Sequence, residues 1–422
     1  MKKELLKIDC EKYFLENGLQ VILYPDHSFP LVSANIWYRV GSANETPGKT
    51  GFAHLFEHMM FQGSKNVPKE GHFRYIQEAG GNLNGSTSID RTNYFETVPA
   101  NYFELPLWLE SDRMGFMAEG LTQEKLDNQK DVVMNERRQS YENQPYGTAW
   151  EKLFSNLYPS NHPYSWPTIG WMEDIAKFEL EDVKKFFASY YSPSNASLVV
   201  AGNFETAKMK SLVQKYFGEI PKGNHVRDIF VPEFQIPATK KIVFEDSVQL
   251  PRIYLGFHTT KAFSRDDASL DLLSDILTSS KNARLQKALI FEKQIAQEIF
   301  SFQYSGRLDG SFIIVSTAKP GISLEKIKEE VQKEILDLTQ NGISTEELER
   351  AKNSLKSAYI FSLQKLDHIA DHLNHYNYFL NEPDSFTLDL SRYEAVTNDQ
   401  IAEAARKYLT AEHIELNIIP KK

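Results

Sequence analysis

A chain of 422 residues is too long for one ordinary core and suits two domains of about 200 residues each. Its 41% hydrophobic and 25% charged residues are those of a globular protein, and a net charge of −10 argues against nucleic acid as the main partner, since phosphate binding needs a basic face. The single cysteine, Cys10, excludes an internal disulfide and any cysteine-built metal site, so a metal would have to be held by His, Asp or Glu.

The opening MKKELLKIDCEKYFLENG has two lysines but no apolar stretch of signal-peptide length behind them. No run approaches the ~20 apolar residues of a membrane span. The expectation is a soluble chain, cytoplasmic or periplasmic, without a membrane span. Asn17-Gly18 is a turn signal between 12–15 and 19–24, so the chain should open as a hairpin. Residues 31–40 alternate as a strand. Thr50 is placed to cap a helix from Gly51 that stops at Gly63. A second helix fits 69–79 and ends at Gly80-Gly81, and 83–99, rich in Thr, Tyr and Phe, reads as strand. Helices follow to about residue 190, and 197–203 reads as a buried strand.

Pro221, Gly223, Pro232 and Pro237 break any sustained period, which marks an interdomain linker at 223–245 between domains at 1–222 and 246–422. After it, 252–257 and 311–318 read as strands, 266–280 as a helix, and 324–340 and about 345–380 as long helices. The two halves look alike. Residues 62–66 (QGSKN) close the first helix as 279–282 (SSKN) close its counterpart, and 121–126 (LTQEKL) open a long helix as 343–348 (ISTEEL) do. If the halves correspond, His54, Glu57 and His58 fall on Leu270, Leu273 and Ser274, and Glu136 falls on Ala358. The polar cluster is then confined to the first copy.

Residues 54–58 read His-Leu-Phe-Glu-His. On a helix His54 and His58 lie about 40° apart and can reach one zinc together, while Glu57, about 60° away on the other flank, can serve an attacking water as general base. This is the inverted zincin motif, one that incidental histidines on an amphipathic core helix seldom complete. A catalytic zinc usually has three protein ligands. Glu136, on a helix beside Val132, Val133 and Met134, is a candidate for the third, but an ion pair with Arg137 or Arg138 would serve such a carboxylate equally well.

With these residues the chain resembles the pitrilysin/insulinase-type zinc metallopeptidases, specifically the class of roughly 400-residue bacterial and mitochondrial-processing-type subunits. The resemblance covers essentially the whole chain. It rests on His54-x-x-Glu57-His58, on Glu136 lying 78 residues after His58, on 80–88 (GGNLNGSTS) with 92–95 (TNYF), and on 194–203 (SNASLVVAGN). It implies one Zn2+ per chain on His54, His58 and Glu136, with Glu57 catalytic. It also implies that substrate adds to the strand edge at Asn84, Gly85 and Ser86. Where family members often carry a supporting Glu seven residues before the third ligand, this chain has Gln129. The family's Arg and Tyr that oppose the zinc from another half or subunit match Ile290 and Gln297, neither of which can donate as they do.

The expected fold is α+β, two similar domains, each a mainly antiparallel sheet covered by helices. The expected function is zinc-dependent hydrolysis of peptides or unfolded segments inside a clam-like dimer. Activity is expected to depend on a paralogous partner that supplies Arg and Tyr; a homodimer using Tyr304 or Arg307 is the competing arrangement. The alternative function is a non-catalytic structural subunit of a larger complex. The stripe His368, His372 and His375, beside Asp367 and Asp371, reads as solvated or core-edge histidines.

Overall fold

The computed structural model describes residues 6–421. Lys2 and Lys3, weighed above against a leader segment, lie outside the described residues. The chain divides into two compact units, and each is discontinuous in sequence. The first comprises Met1–Arg137, Trp166–Ile229 and Phe361–Thr387, the second Arg138–Ser165, Phe230–Ile360 and Leu388–Lys422. The expected contiguous cut around 223–245 therefore does not separate the cores.

The first unit holds a six-stranded sheet made of β1 (Glu11–Phe14), β2 (Gln20–Pro25), β3 (Leu31–Tyr38), β4 (Asn82–Thr87), β5 (Thr92–Pro99) and β6 (Ala196–Gly202), in the order β1-β2-β6-β3-β5-β4. The opening hairpin forms as expected: Gly18 takes φ +89°, which only a residue without Cβ adopts freely, and Phe14 pairs with Gln20. Only β2 and β6 run parallel. The central strand β6 is buried along its whole length, which is why its sequence is a continuous apolar run rather than an alternating one. β4 closes the order and is an edge.

One helix of this unit, Leu366–Leu380, comes from far along the chain. Ile369, Leu373 and Tyr376 bury its apolar face. Its amides satisfy polar groups of the sheet: Asn374 Nδ2 donates to Asn35 O (2.8 Å), Ser197 Oγ donates to Asn374 Oδ1 (2.7 Å), and Asn377 Nδ2 donates to Gln20 Oε1 (2.8 Å). A long helix over 345–380 was expected. Instead there are two, Thr345–Ser362 and Leu366–Leu380, and the change of unit at Phe361 explains the break. Leu348 and Ala351 belong to the second core, whereas the next helix buries its face in the first.

The second unit holds β7 (Lys240–Asp246), β8 (Arg252–Thr259), β9 (Ala296–Ser305), β10 (Gly310–Ala318) and β11 (His413–Pro420), in the order β7-β11-β8-β10-β9. This repeats β2-β6-β3-β5-β4 strand for strand, including its one parallel pair, β7 with β11. The internal repeat read from short matches is thus a repeat of topology. No helix or strand lies between Ile220 and Lys240, but the last part of the expected linker is β7. In the helix Asp267–Thr278, Leu270 and Leu273 are fully buried in the core and Ser274 Oγ donates to Ser301 O at 2.8 Å. The second copy has apolar packing where the first has its polar cluster.

Candidate metal centre

The motif lies on the helix Phe52–Met59. Phe52, Ala53, Leu55, Phe56 and Met59 bury one side of it, which turns His54, Glu57 and His58 to the other. Thr50 was expected to cap this helix. Gly51 does so instead, at φ +85°, with no room for a Cβ because Ile169 O would lie 2.5 Å away. Its backbone donors are taken by a residue outside the helix: the Glu45 carboxylate accepts from the N–H of Gly51 (2.9 Å) and of Ala53 (2.7 Å). Thr50 Oγ1 is spent on Asp174 Oδ2 at 2.7 Å. Burial pushes the Glu45 carboxyl up from its ordinary range, and the Ala53 and Gly51 donors draw it back.

Glu136 comes from the helix Gln123–Arg137. Its carboxylate lies 3.4 Å from His58 Nε2 and 3.8 Å from His54 Nε2, and it pairs with these two histidines rather than with Arg137 or Arg138. Arg137 is buried over the Trp171 ring instead. The two imidazoles stand nearly perpendicular, centroids 4.8 Å apart. One ligand atom from each of His54, His58 and Glu136 lies within 4.8 Å of the others, the one such grouping of three among the described residues.

The electrostatics suit a cation. Burial, then His58, pushes the His54 imidazole down to about 4, so it is neutral and has a lone pair to give. A hydrogen bond with His58 holds the Glu136 carboxyl below the usual range. His54 Nδ1 is buried without a partner. Two imidazole nitrogens and a carboxylate oxygen, with the Glu136 side chain 40% exposed and so open on one side, are the donor types that a catalytic zinc site uses. The residues fit that metal.

Glu57 is largely buried, which pushes its carboxyl up; a hydrogen bond from Thr87 draws it back. Thr87 Oγ1 donates to Glu57 Oε2 at 2.5 Å. Thr87 and Gly85 lie on the face of β4 turned to the motif helix. A methyl group on Gly85 would sit 3.2 Å from Glu57 Oε1 and 3.1 Å from the Phe61 ring, so glycine keeps this approach open. Asn84 and Ser86, by the alternation of a strand, belong to the opposite face. Ser86 lines a polar cleft of about 320 Å³ there with Asn35, Arg91, Asn93 and Asp371. The Asn84 side chain caps its own neighbour, its Oδ1 accepting from Gly85 N–H at 2.9 Å.

Gln129, which stands where family members often carry a supporting Glu, is buried and donates its amide N–H to Asn128 Oδ1 (2.9 Å). In the second unit Ile290 packs on the core and Gln297 is exposed at the start of β9. His375 packs edge-on to Trp37, and His372 shares a hydrogen bond with Ser362 Oγ (3.0 Å). Sequence reasoning passed over Glu45 and Thr87. Thr87 carried one usable signal, a position two residues after a glycine on the same strand face.

Two family descriptions match the chain: "Insulinase (Peptidase family M16)" over residues 20–168 and "Peptidase M16 inactive domain" over 177–355. The zinc protease PqqE of Helicobacter pylori is 32% identical over 366 residues, 85% of this chain and 81% of that protein. The probable mitochondrial-processing peptidase subunit beta of Arabidopsis thaliana is 22% identical over 418 residues, 96% of this chain and 77% of that one. The crystal structure of a protease from Helicobacter pylori superposes with a TM-score of 0.90 at 27% identity, covering 98% of this chain and all of that one.

Proposed function

This chain belongs to the insulinase-type peptidases of family M16, and from that premise we propose that it is a zinc-dependent endopeptidase acting on peptides or unfolded segments. The observation that carries this reading is the convergence of His54, His58 and Glu136 beside a carboxylate, Glu57, that none of them uses. His54, His58 and Glu136 would hold the zinc, which when bound supplies the Lewis acidity that makes water a nucleophile near neutral pH. Glu57 takes the proton as water attacks the scissile carbonyl, and returns it to the amine nitrogen as the C–N bond breaks. Burial of Glu57 keeps its carboxyl above its ordinary range and so better matched to that exchange.

Substrate docks by adding a strand to the free edge of β4. Strand addition reads backbone more than side chains, so selectivity is broad in sequence and narrow in conformation. The oxyanion also needs a donor facing the metal, worth about 3–4 kcal/mol. Ile290 and Gln297 cannot provide it, so the chain works with a partner subunit that does, within a clam-like dimer. The test is hydrolysis of an unstructured peptide by the zinc-loaded chain, alone and with candidate partner chains, with zinc content followed throughout. Cleavage abolished by chelation and restored by zinc is the expected result. Stoichiometric zinc without cleavage in any pairing would point to a scaffold subunit instead.

A further inference from the structure

The Glu57 carboxylate accepts one hydrogen bond among the described residues, from Thr87 Oγ1. That donor is itself held firmly. Thr87 pairs with Thr92 across β4 and β5, and Thr92 is fully buried with its hydroxyl committed to Val40 O at 2.9 Å. Thr92 Oγ1 lies 3.5 Å from Thr87 Oγ1. Both threonines are β-branched and stiff about χ1, so the Thr87 hydroxyl has little freedom to point elsewhere. Glu57 itself hangs on a flexible side chain whose helix fixes its Cα and not its carboxylate.

The same strand has a second role to play. Ser88 N–H bonds Arg91 O (2.8 Å) at the hairpin end, which by the alternation of an antiparallel ladder turns the backbone groups of Ser86 and Asn84 toward β5 and those of Thr87, Gly85 and Leu83 toward the free edge. The residues whose backbone faces the free edge, Gly85 among them with its N–H accepted by Asn84 Oδ1, are therefore the ones whose side-chain face meets Glu57.

We propose that Thr87 is the positioning residue for the general base. Its O–H fills Oε2 and leaves Oε1, the oxygen that approaches Gly85, to take the proton from water. Through Oε2 it also ties the Glu57 carboxylate to the strand on which the peptide docks, so the register of the peptide and the place of the base are set by one residue. The proposal rests on the reading of Glu57 as the base. Removing the hydroxyl frees the carboxylate to rotate, and misplacement of a reacting group by about 1 Å costs on the order of 100-fold in rate.

The experiment compares Thr87→Val and Thr87→Ser with the unaltered protein, zinc-loaded and in whichever assembly cleaves an unstructured peptide, and adds crystal structures of all three. Thr87→Val should keep its zinc and its melting temperature, lose about 10- to 100-fold in kcat, and hold KM within about twofold. Thr87→Ser should restore kcat to within about threefold. The crystals should place the Glu57 carboxylate in one rotamer in the unaltered and serine proteins and in several in the valine protein, a readout independent of turnover. If valine does not fold, Thr87→Ala makes the same comparison. An unchanged kcat, a rise in KM alone, no rescue by serine, or a single unchanged Glu57 rotamer in the valine protein would each overturn the proposal. Glu57→Gln run alongside separates the failures. Turnover surviving in it overturns the assignment of Glu57, whereas turnover lost in it and kept in Thr87→Val overturns only the role of Thr87.

Discussion

On the proposed reading the histidines and the glutamate of the motif have different chemical tasks, and substitution can separate them. Glu57→Gln leaves three ligands in place and removes the base, so zinc content should stay near one per chain while turnover falls by about 100- to 10,000-fold; zinc lost together with activity would show that Glu57 is a ligand. Glu136→Gln replaces a carboxylate with a neutral amide and should weaken zinc binding at least tenfold, measured by competition with a chelator of known affinity. Glu45→Ala strips two buried N–H groups of their acceptor and should lower the free energy of unfolding by about 1–2 kcal/mol, read from the denaturation midpoint. The motif was legible because a helix turns 54, 57 and 58 to one side by its period alone. Glu136 was legible only as a candidate, since a carboxylate among arginines is ambiguous until distances exist. Glu45 acts across a loop with no local period to announce it, and Thr87 acts from a strand with only its place two residues after Gly85 to mark it.

Among the elements, β4 has the most specific consequence. An added strand meets it every second residue. Methylating single amide nitrogens along a substrate peptide should therefore raise KM at alternate positions and leave it unchanged at those between, provided β4 is the docking edge. A uniform or absent effect would count against docking on β4. Proline at Ser86, by contrast, would remove a donor that faces β5 and so loosen the sheet itself. The hairpin β1–β2, the strand β3 and the buried strand β6 could be read from turn residues and apolar runs. β7, β9 and β11 could not: β7 and β9 are edge strands, and β7 is largely exposed, with neither a clean apolar run nor strong punctuation. The break near residue 363 also left no mark, because no proline or glycine causes it.

At the scale of the whole chain, the repeat was visible and the exchange of segments was not. Pattern in a sequence follows local period and spacing, and nothing in residues 361–387 states which core they join. A fragment ending at residue 222 would lack the helix that covers the first sheet. It would leave the Asn35 carbonyl and the Ser197 hydroxyl without the partners that the helix supplies, together with an open apolar face. Such a fragment is expected to lack a cooperative melt and to bind zinc weakly, and supplying Phe361–Thr387 as a separate peptide should restore both.

The exchanged helix also sets an order of events during synthesis. The strands of the first sheet have all left the ribosome once β6 has emerged, yet the helix Leu366–Leu380 that must lie on them is still unmade. At roughly 5–20 residues per second the wait is on the order of ten to forty seconds. Throughout it the nascent chain carries an open sheet face, although His54, His58 and Glu136 have already been made. A chaperone that shields newly made chains has its natural target in that interval, on that face.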